Sequence, residues 1–329
     1  MNQKIRWGVL GWARIARLQL IPAIQRSQNG LLHALASRHP AKLAEARTQN
    51  GVTRTYGSYE ELLRDPEVDA VYNPLPNALH KEWTIKAAEH GKAVLCEKPA
   101  ALNAAEGREM IAACRAHGVL FMEGFMYRYT TRTQKVVEIL RSGVLGEIKF
   151  IQSEFRFLLN RPGDVRRAAG LGGGSLYDVG CYPLNFIGLV MDTITHSAPG
   201  AGPRPESIRA QCTDVDGVDE QFSALLRYPG GVTAALHSGF NAQGRMATEI
   251  VGTKGVLEIP STFLGTAGAM TLITGETRQE IPIAESDRYQ LQVEDFAAAL
   301  LAKHPPLLTP EETLRNLELL DQLYAAARD

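Results

Sequence analysis

Short apolar runs alternate with helical patterns over the first third of the chain. Ile5-Arg6-Trp7-Gly8-Val9-Leu10-Gly11, Leu31 to Ser37, Asp69 to Pro74, Lys92 to Cys96 and Val119 to Glu123 read as strands. Helical segments separate them: one from Trp12 onward, a short one opening at Ser58, then Asn77 to Gly91 and Asn103 to His117. Ser58 with Glu61, and Asn103 with Glu106, have the spacing that caps a helix start, while Gly91 and Gly118 stand at helix stops. Pro22 is expected to break the first helix into two pieces. This alternation predicts a doubly wound parallel sheet ending near residue 124.

The pattern then changes. After a helix from about Thr130 to Ser142, strands follow one another with few helices between: Glu147 to Phe157, Ile208 to Asp214, Val218 to Arg227, Val232 to Phe240, Met246 to Val251 and Gly255 to Ile259. Pro229-Gly230-Gly231 turns one hairpin. Helices over 286–303 and 310–327 close the chain. The expected fold is therefore α/β: a Rossmann-type doubly wound parallel sheet, then an α+β domain with a large, mostly antiparallel open sheet. One face of that sheet should carry helices and the other a partner subunit, because an apolar sheet face needs cover. Residues 1–124 and 125–329 are the two domains so expected, with Ala198 to Pro205 as the most flexible loop.

Composition narrows the classes of partner. A net charge of -1 argues against nucleic acid or anionic membrane as the main partner, since both favour a basic surface. No apolar run is long enough to span a bilayer. The N-terminal residues run straight into the first strand without a secretory apolar segment, so the expected location is cytoplasmic. Cys96, Cys114, Cys181 and Cys212 lie far apart and form no CxxC pair, so no metal site is expected and buried free thiols are.

Chemistry concentrates at the strand ends, where ligands of open α/β sheets collect. Gly11, Ala13 and Ala16 follow the first strand with the spacing G-x-A-x-x-A, a variant of the dinucleotide fingerprint. The glycine allows the tight turn, the small second residue lets backbone approach a pyrophosphate, and the third packs helix on strand. Gly11 to Ile15, including Trp12 and Arg14, is thus expected at the cofactor, with the helix N-terminus facing phosphate. The second strand ends in Ser37-Arg38-His39, with Lys42 one turn on and no carboxylate before Glu45. A hydroxyl and cations suit a 2′-phosphate, so NADP is expected rather than NAD. Lys98 stands after an apolar strand in Cys96-Glu97-Lys98-Pro99, and by itself it reads equally as a solvated loop charge.

In the second half, Gly172-Gly173-Gly174 opens a helix with Asp178 and Tyr182 four apart on one face. The residues leave two readings open: a carboxylate–phenol site, or a packed aromatic beside a terminal acid. Arg156, Arg161, Arg166 and Arg167 form a basic loop before the glycines, fit either to hold an anionic substrate group or to be solvated.

Taken together, these segments resemble the glucose-fructose oxidoreductase / inositol dehydrogenase (Gfo/Idh/MocA) family. They are Trp7 to Gly11, Leu75-Pro76-Asn77-Ala78-Leu79-His80, Cys96 to Pro99, Glu123-Gly124-Phe125-Met126-Tyr127-Arg128 and Gly172 to Tyr182. Tyr182, where many members have histidine, looks like the aldose dehydrogenase and dihydrodiol dehydrogenase branches. The resemblance implies an NADP-dependent hydride transfer to or from a sugar carbon. It implies that Lys98 and Tyr182 are catalytic, and that Pro74, Leu75, Asn77, His80, Glu97 and Pro99 line the cofactor. It further implies that Asp178, with Arg128 and Arg167, meets a sugar or polyol substrate in a homo-oligomer, dimer or tetramer, joined through the C-terminal sheet. Alternatives it allows are a keto-sugar reductase, a trans-dihydrodiol dehydrogenase, or a catalytically silent NADP sensor. Ala13 departs from the commonest fingerprint.

Overall fold

The computed structural model describes residues 3–328. The chain packs as two compact units, Met1–Met126 with Asp287–Pro310, and Tyr127–Ser286 with Glu311–Asp329. The break near 124 falls after Met126, and one late helix joins the first unit instead of the second. The reason lies in the first strand. Trp7 is fully buried, and its indole packs on Phe296 from the helix Arg288–Ala302 at 4.9 Å between ring centroids.

In the first unit, strands β1 (Ile5–Leu10), β2 (Gly30–Ala36), β3 (Arg54–Tyr56), β4 (Ala70–Asn73), β5 (Ala93–Cys96) and β6 (Phe121–Glu123) form one sheet in the order β3-β2-β1-β4-β5-β6. All pairings are parallel. β4 and β5 are buried throughout, as continuous apolar runs require when helices cover both faces. The expected caps form: Ser58 Oγ accepts from Glu61 N at 3.2 Å, and Asn103 Oδ1 from Glu106 N at 2.9 Å. Pro22 does not split the first helix. Backbone dihedrals stay helical through Leu20 and Ile21, and a π-helical stretch, Ala16–Leu20, immediately precedes α1 (Ile21–Arg26). That wider turn accommodates the hydrogen bond that proline cannot donate.

The second unit carries an eight-stranded sheet. Its strands are β7 (Ile148–Arg156), β8 (Ser207–Val215), β9 (Val218–Arg227), β10 (Thr233–Gly239), β11 (Arg245–Gly252), β12 (Val256–Pro260), β13 (Gly268–Thr274) and β14 (Thr277–Ile283). Their order is β14-β13-β12-β11-β7-β10-β9-β8, antiparallel except where β10 pairs with β7. The hairpin β13–β14 was not marked by the hydrophobic pattern, since β14 buries only Ile281 and Ile283. A long helix, Cys181–Ile194, is buried from Cys181 to Thr193. The 198–205 loop is tied down: Asp192 accepts from Gly200 N at 3.0 Å and Gly202 N at 2.8 Å. Cys96, Cys114 and Cys181 are buried free thiols, whereas Cys212 is exposed because β8 lies at the sheet edge.

Candidate active site

In the first unit, the turn after β1 and the loop after β4 lie side by side, where the strand order reverses direction. This is the crevice that dinucleotides use in such sheets. Gly11 has φ +93°, a left-handed conformation that a side chain would strain. A Cβ there would also come within 3.3 Å of Leu75 Cδ2 and the Tyr59 hydroxyl. The bare backbone suits a pyrophosphate approaching the start of the following helix. Ala16 is fully buried, which meets the fingerprint's need for a small third residue. Trp12 is largely buried, its indole N–H donating to Glu45 Oε2 at 3.0 Å. The first carboxylate after β2 is thereby bonded to the turn that follows β1. At the end of β2, Ser37 is buried, while Arg38 and Lys42 are exposed. Burial raises the Tyr59 phenol, and the positive charge of Arg38 works the other way.

The turn bearing Lys98 is held by several groups of its own unit. Gly124 N donates to Cys96 O at 2.7 Å, and a Cβ on Gly124 would press on that carbonyl at 3.1 Å. Ala100 N donates to Glu123 Oε1 at 2.9 Å, and the Lys98–Pro99 bond is cis. Lys98 and Glu97 are half-buried, and Glu97 Oε1 accepts from the buried Tyr72 hydroxyl at 2.5 Å. Pro74 and Leu75 are buried and Asn77 is half-buried. His80 is not at an open edge: it is fully buried, with Nδ1 2.9 Å from Pro99 O and Nε2 2.7 Å from Leu75 O. A neutral imidazole donates to one of these carbonyls at a time, and the buried ring packs the loop after β4 against the turn after β5. Burial drives its pKa down to about 4, with the two carbonyls opposing.

In the second unit, Asp178 lies in a π-helical stretch, Leu176–Gly180, that runs directly into the helix carrying Tyr182. Such stretches recur at functional sites. Tyr182 is 5% exposed and packs among Tyr127, Phe155 and Phe263, with ring centroids 6.0, 5.5 and 5.5 Å away. Phe263 lies far from Tyr182 in sequence, and nothing in the pattern marks it. The Gly-rich entry is clamped by Asp219, whose Oδ2 accepts from Ser175 Oγ at 2.8 Å and Leu176 N at 2.7 Å. Its Oδ1 accepts from Tyr324 at 2.7 Å. A side chain on Gly174, at φ +119°, would collide with that carboxylate.

The expected substrate arginines fare differently. Arg128 faces the interior, 6% exposed, with its guanidinium on the buried Glu312 carboxylate. A buried cation needs such a partner, so Arg128 is a packing ion and not a substrate contact. Arg167 Nη2 lies 2.9 Å from Glu220 Oε1, and Arg166 Nε 2.6 Å from Asp178 Oδ2. Both are ion-paired, with the Arg166 and Arg167 side chains 39% and 32% exposed. Among the described residues, one group brings His33, Asp65 and Glu67 within metal-ligand range of one another. Arg54 Nη1 already lies among them, 3.0, 3.1 and 2.5 Å away, which makes the group an ion-pair cluster.

Residues 5–125 match the oxidoreductase family with an NAD-binding Rossmann fold, and residues 133–258 match the GFO/IDH/MocA C-terminal domain. D-xylose 1-dehydrogenase (NADP(+)) 2 of Haloferax volcanii is 35% identical, over 98% of this chain and 97% of its own length. The trans-1,2-dihydrobenzene-1,2-diol dehydrogenase of Xenopus laevis is 34% identical, over 84% of this chain and 81% of its own. Among solved structures, KijD10, a 3-ketoreductase from Actinomadura kijaniata in complex with NADP and TDP-benzene, superposes with a TM-score of 0.90. It is 29% identical, over 98% of both chains. The chain belongs to the Gfo/Idh/MocA family of oxidoreductases.

Proposed function

We propose that this chain is an NADP-dependent dehydrogenase of the aldose type, moving a hydride between the nicotinamide and a sugar carbon. The observation that carries the reading is Asp178 and Tyr182 on one helix, an anionic acceptor for hydroxyls beside a phenol that can carry a proton. NADP, which KijD10 binds and after which the xylose dehydrogenase is named, fits the β2 end here: Ser37, Arg38 and Lys42 with no carboxylate among them. In this reading Gly11 to Ile15 and the loop Pro74 to Asn77 hold the dinucleotide, and Ser37, Arg38 and Lys42 hold its 2′-phosphate.

The nicotinamide supplies the hydride chemistry when bound. The chain's own residues must then orient the sugar and manage one proton. Tyr182 takes the hydroxyl proton in oxidation and returns it in reduction. A free phenol has a pKa of about 10, too high for a base near neutrality, and a nearby ammonium lowers it. The family resemblance supports Lys98 as the second catalytic residue. Asp178 accepts from sugar hydroxyls and fixes which carbon reacts.

A second copy is proposed to cover the outer face of the eight-stranded sheet, where Leu225 is 48% exposed and Phe150, Ala235 and Val251 are half-exposed. Light scattering should then give at least a dimer. The central test is a panel of neutral aldoses, a dihydrodiol and nucleotide-linked keto-sugars, each with NADP and NAD. Reduced cofactor appearing with an aldose and NADP supports the reading, whereas turnover confined to another class, or to NAD, overturns it.

A further inference from the structure

The aromatic cluster around Tyr182 is fed by a clamped loop. Between β12 and β13 the chain leaves the sheet over residues 261–267 and returns to it. Most of this excursion is exposed, yet Thr262 and Phe263 turn inward and are buried. Ser261 enters the turn at φ +51°, a conformation that serine seldom adopts, and its carbonyl accepts from Gly265 N at 2.9 Å. Thr262 Oγ1 donates to Ile259 O at 2.8 Å and lies 3.1 Å from Thr248 Oγ1. Phe263 then meets Tyr182, Phe155, Tyr127 and Phe186, with ring centroids 5.5, 5.8, 5.4 and 6.1 Å away.

Arg132 closes the loop. It stands in the helix Thr131–Ser142 and is 2% exposed. Its Nη1 donates to Pro260 O at 2.9 Å and its Nη2 to Ala267 O at 2.7 Å, the carbonyls at the two ends of the excursion. Among the described residues no carboxylate offsets its burial, which pulls the guanidinium below its ordinary pKa. A buried charge without a counter-ion is costly, and a methionine would occupy such a volume without that cost. What an apolar side chain cannot do is bridge two carbonyls with one rigid planar fork. Gly265 belongs to the same fit: a Cβ there would stand 2.8 Å from Arg132 Nη2 and 2.7 Å from Ser261 O.

Resting on the reading of Tyr182 as the proton carrier, we infer that Arg132 is a positioning residue: it fixes the 261–267 loop so that Phe263 sets the orientation of the Tyr182 ring for proton transfer. That transfer needs the phenol oxygen within about 2.6–3.2 Å of its partner, and a misplacement of about 1 Å costs roughly 10²-fold in rate. Relaxing Phe263 therefore weakens turnover more than sugar binding.

The test uses the full chain with saturating NADP and an aldose that the wild type oxidises, each protein assayed well below its melting range. Phe263→Leu and Arg132→Met should each lower kcat at least tenfold, while the aldose KM changes less than threefold and NADP affinity stays within twofold. A merely structural role would lower the melting temperature and leave the kcat of the folded protein intact. Gly265→Ala, which keeps every charge and crowds the fork, should lower kcat in the same way, and it serves where Arg132→Met does not fold. Adding Gly265→Ala to Phe263→Leu should lower kcat by less than a further threefold, because both changes act through one ring. An unchanged kcat in Phe263→Leu or in Gly265→Ala, or losses that multiply in the double variant, overturns the inference while the dehydrogenase reading stands. If the wild type oxidises no aldose, that reading fails, and the motion of the ring decides the clamp by itself. NMR of ring-labelled tyrosine, with the Tyr182 signal identified by its loss in Tyr182→Phe, should show ring flips at least tenfold faster in Phe263→Leu and in Gly265→Ala than in the wild type; equal rates overturn the inference.

Discussion

Replacing Glu312 with methionine tests whether Arg128 belongs to the protein's interior or to its substrate. The two side chains are 5% and 1% exposed and bonded to each other, and Arg315 Nη2 lies 4.0 Å from the same carboxylate. Burial disfavours the Arg128 charge, and Glu312 opposes that effect. Removing the carboxylate leaves a guanidinium in the core with its counter-ion gone. Breaking a buried pair in this way costs about 3–5 kcal/mol. For a unit of this size each kcal/mol lowers Tm by about 2–4 °C, so the variant should melt roughly 6–20 °C early. Arg128→Met should cost a similar amount. The double variant should recover most of the loss, since apolar groups of similar volume often replace a buried pair with little penalty. Calorimetry and urea unfolding of the four proteins close the cycle. The aldose KM, measured below the melting range, should stay within twofold in Arg128→Met. A loss under about 1 kcal/mol in both single variants, together with a raised KM in Arg128→Met, would falsify this account and return Arg128 to the substrate.

Three further outcomes are expected. Tyr182→Phe should lower kcat by about 10²–10⁴-fold, the range for a lost general acid–base, with NADPH binding near wild type by fluorescence titration; retained turnover would remove Tyr182 from the mechanism. Arg38→Ala should weaken NADPH roughly tenfold and NADH hardly at all, as expected for one solvent-exposed charged hydrogen bond, and equal losses for both cofactors would remove Arg38 from the 2′-phosphate site. Burial acts to raise the Asp65 carboxyl, but Glu67 N, the Tyr56 hydroxyl, Arg54 and His33 together hold it well below the usual carboxylate range. With its folded pKa depressed, its contribution is complete above about pH 4 and is lost as pH falls further toward the folded value. Asp65→Asn should therefore flatten the acid limb of stability against pH, and an unaltered limb would count against this role.

The nucleotide-binding unit was largely legible from sequence because its cues are local. A period of two or of 3.6, a capping Ser58 or Asn103, and a glycine forced to φ +93° at residue 11 act over a few residues. The parallel sheet then brings the strand ends, and so Ser37, Arg38 and Lys98, to one edge. What periodicity could not supply was the partner of each polar group. Arg128, His80 and Arg166 all read as plausible ligand contacts in one dimension. Only tertiary packing put Arg128 on Glu312, 184 residues away, turned His80 onto two carbonyls and aimed Arg166 at Asp178. The same holds for Phe263 beside Tyr182 and for Phe296 beneath Trp7. Local conformation follows from short-range sterics and hydrogen bonding. The environment of a charge is settled by whichever distant segment the sheet register and core packing bring against it.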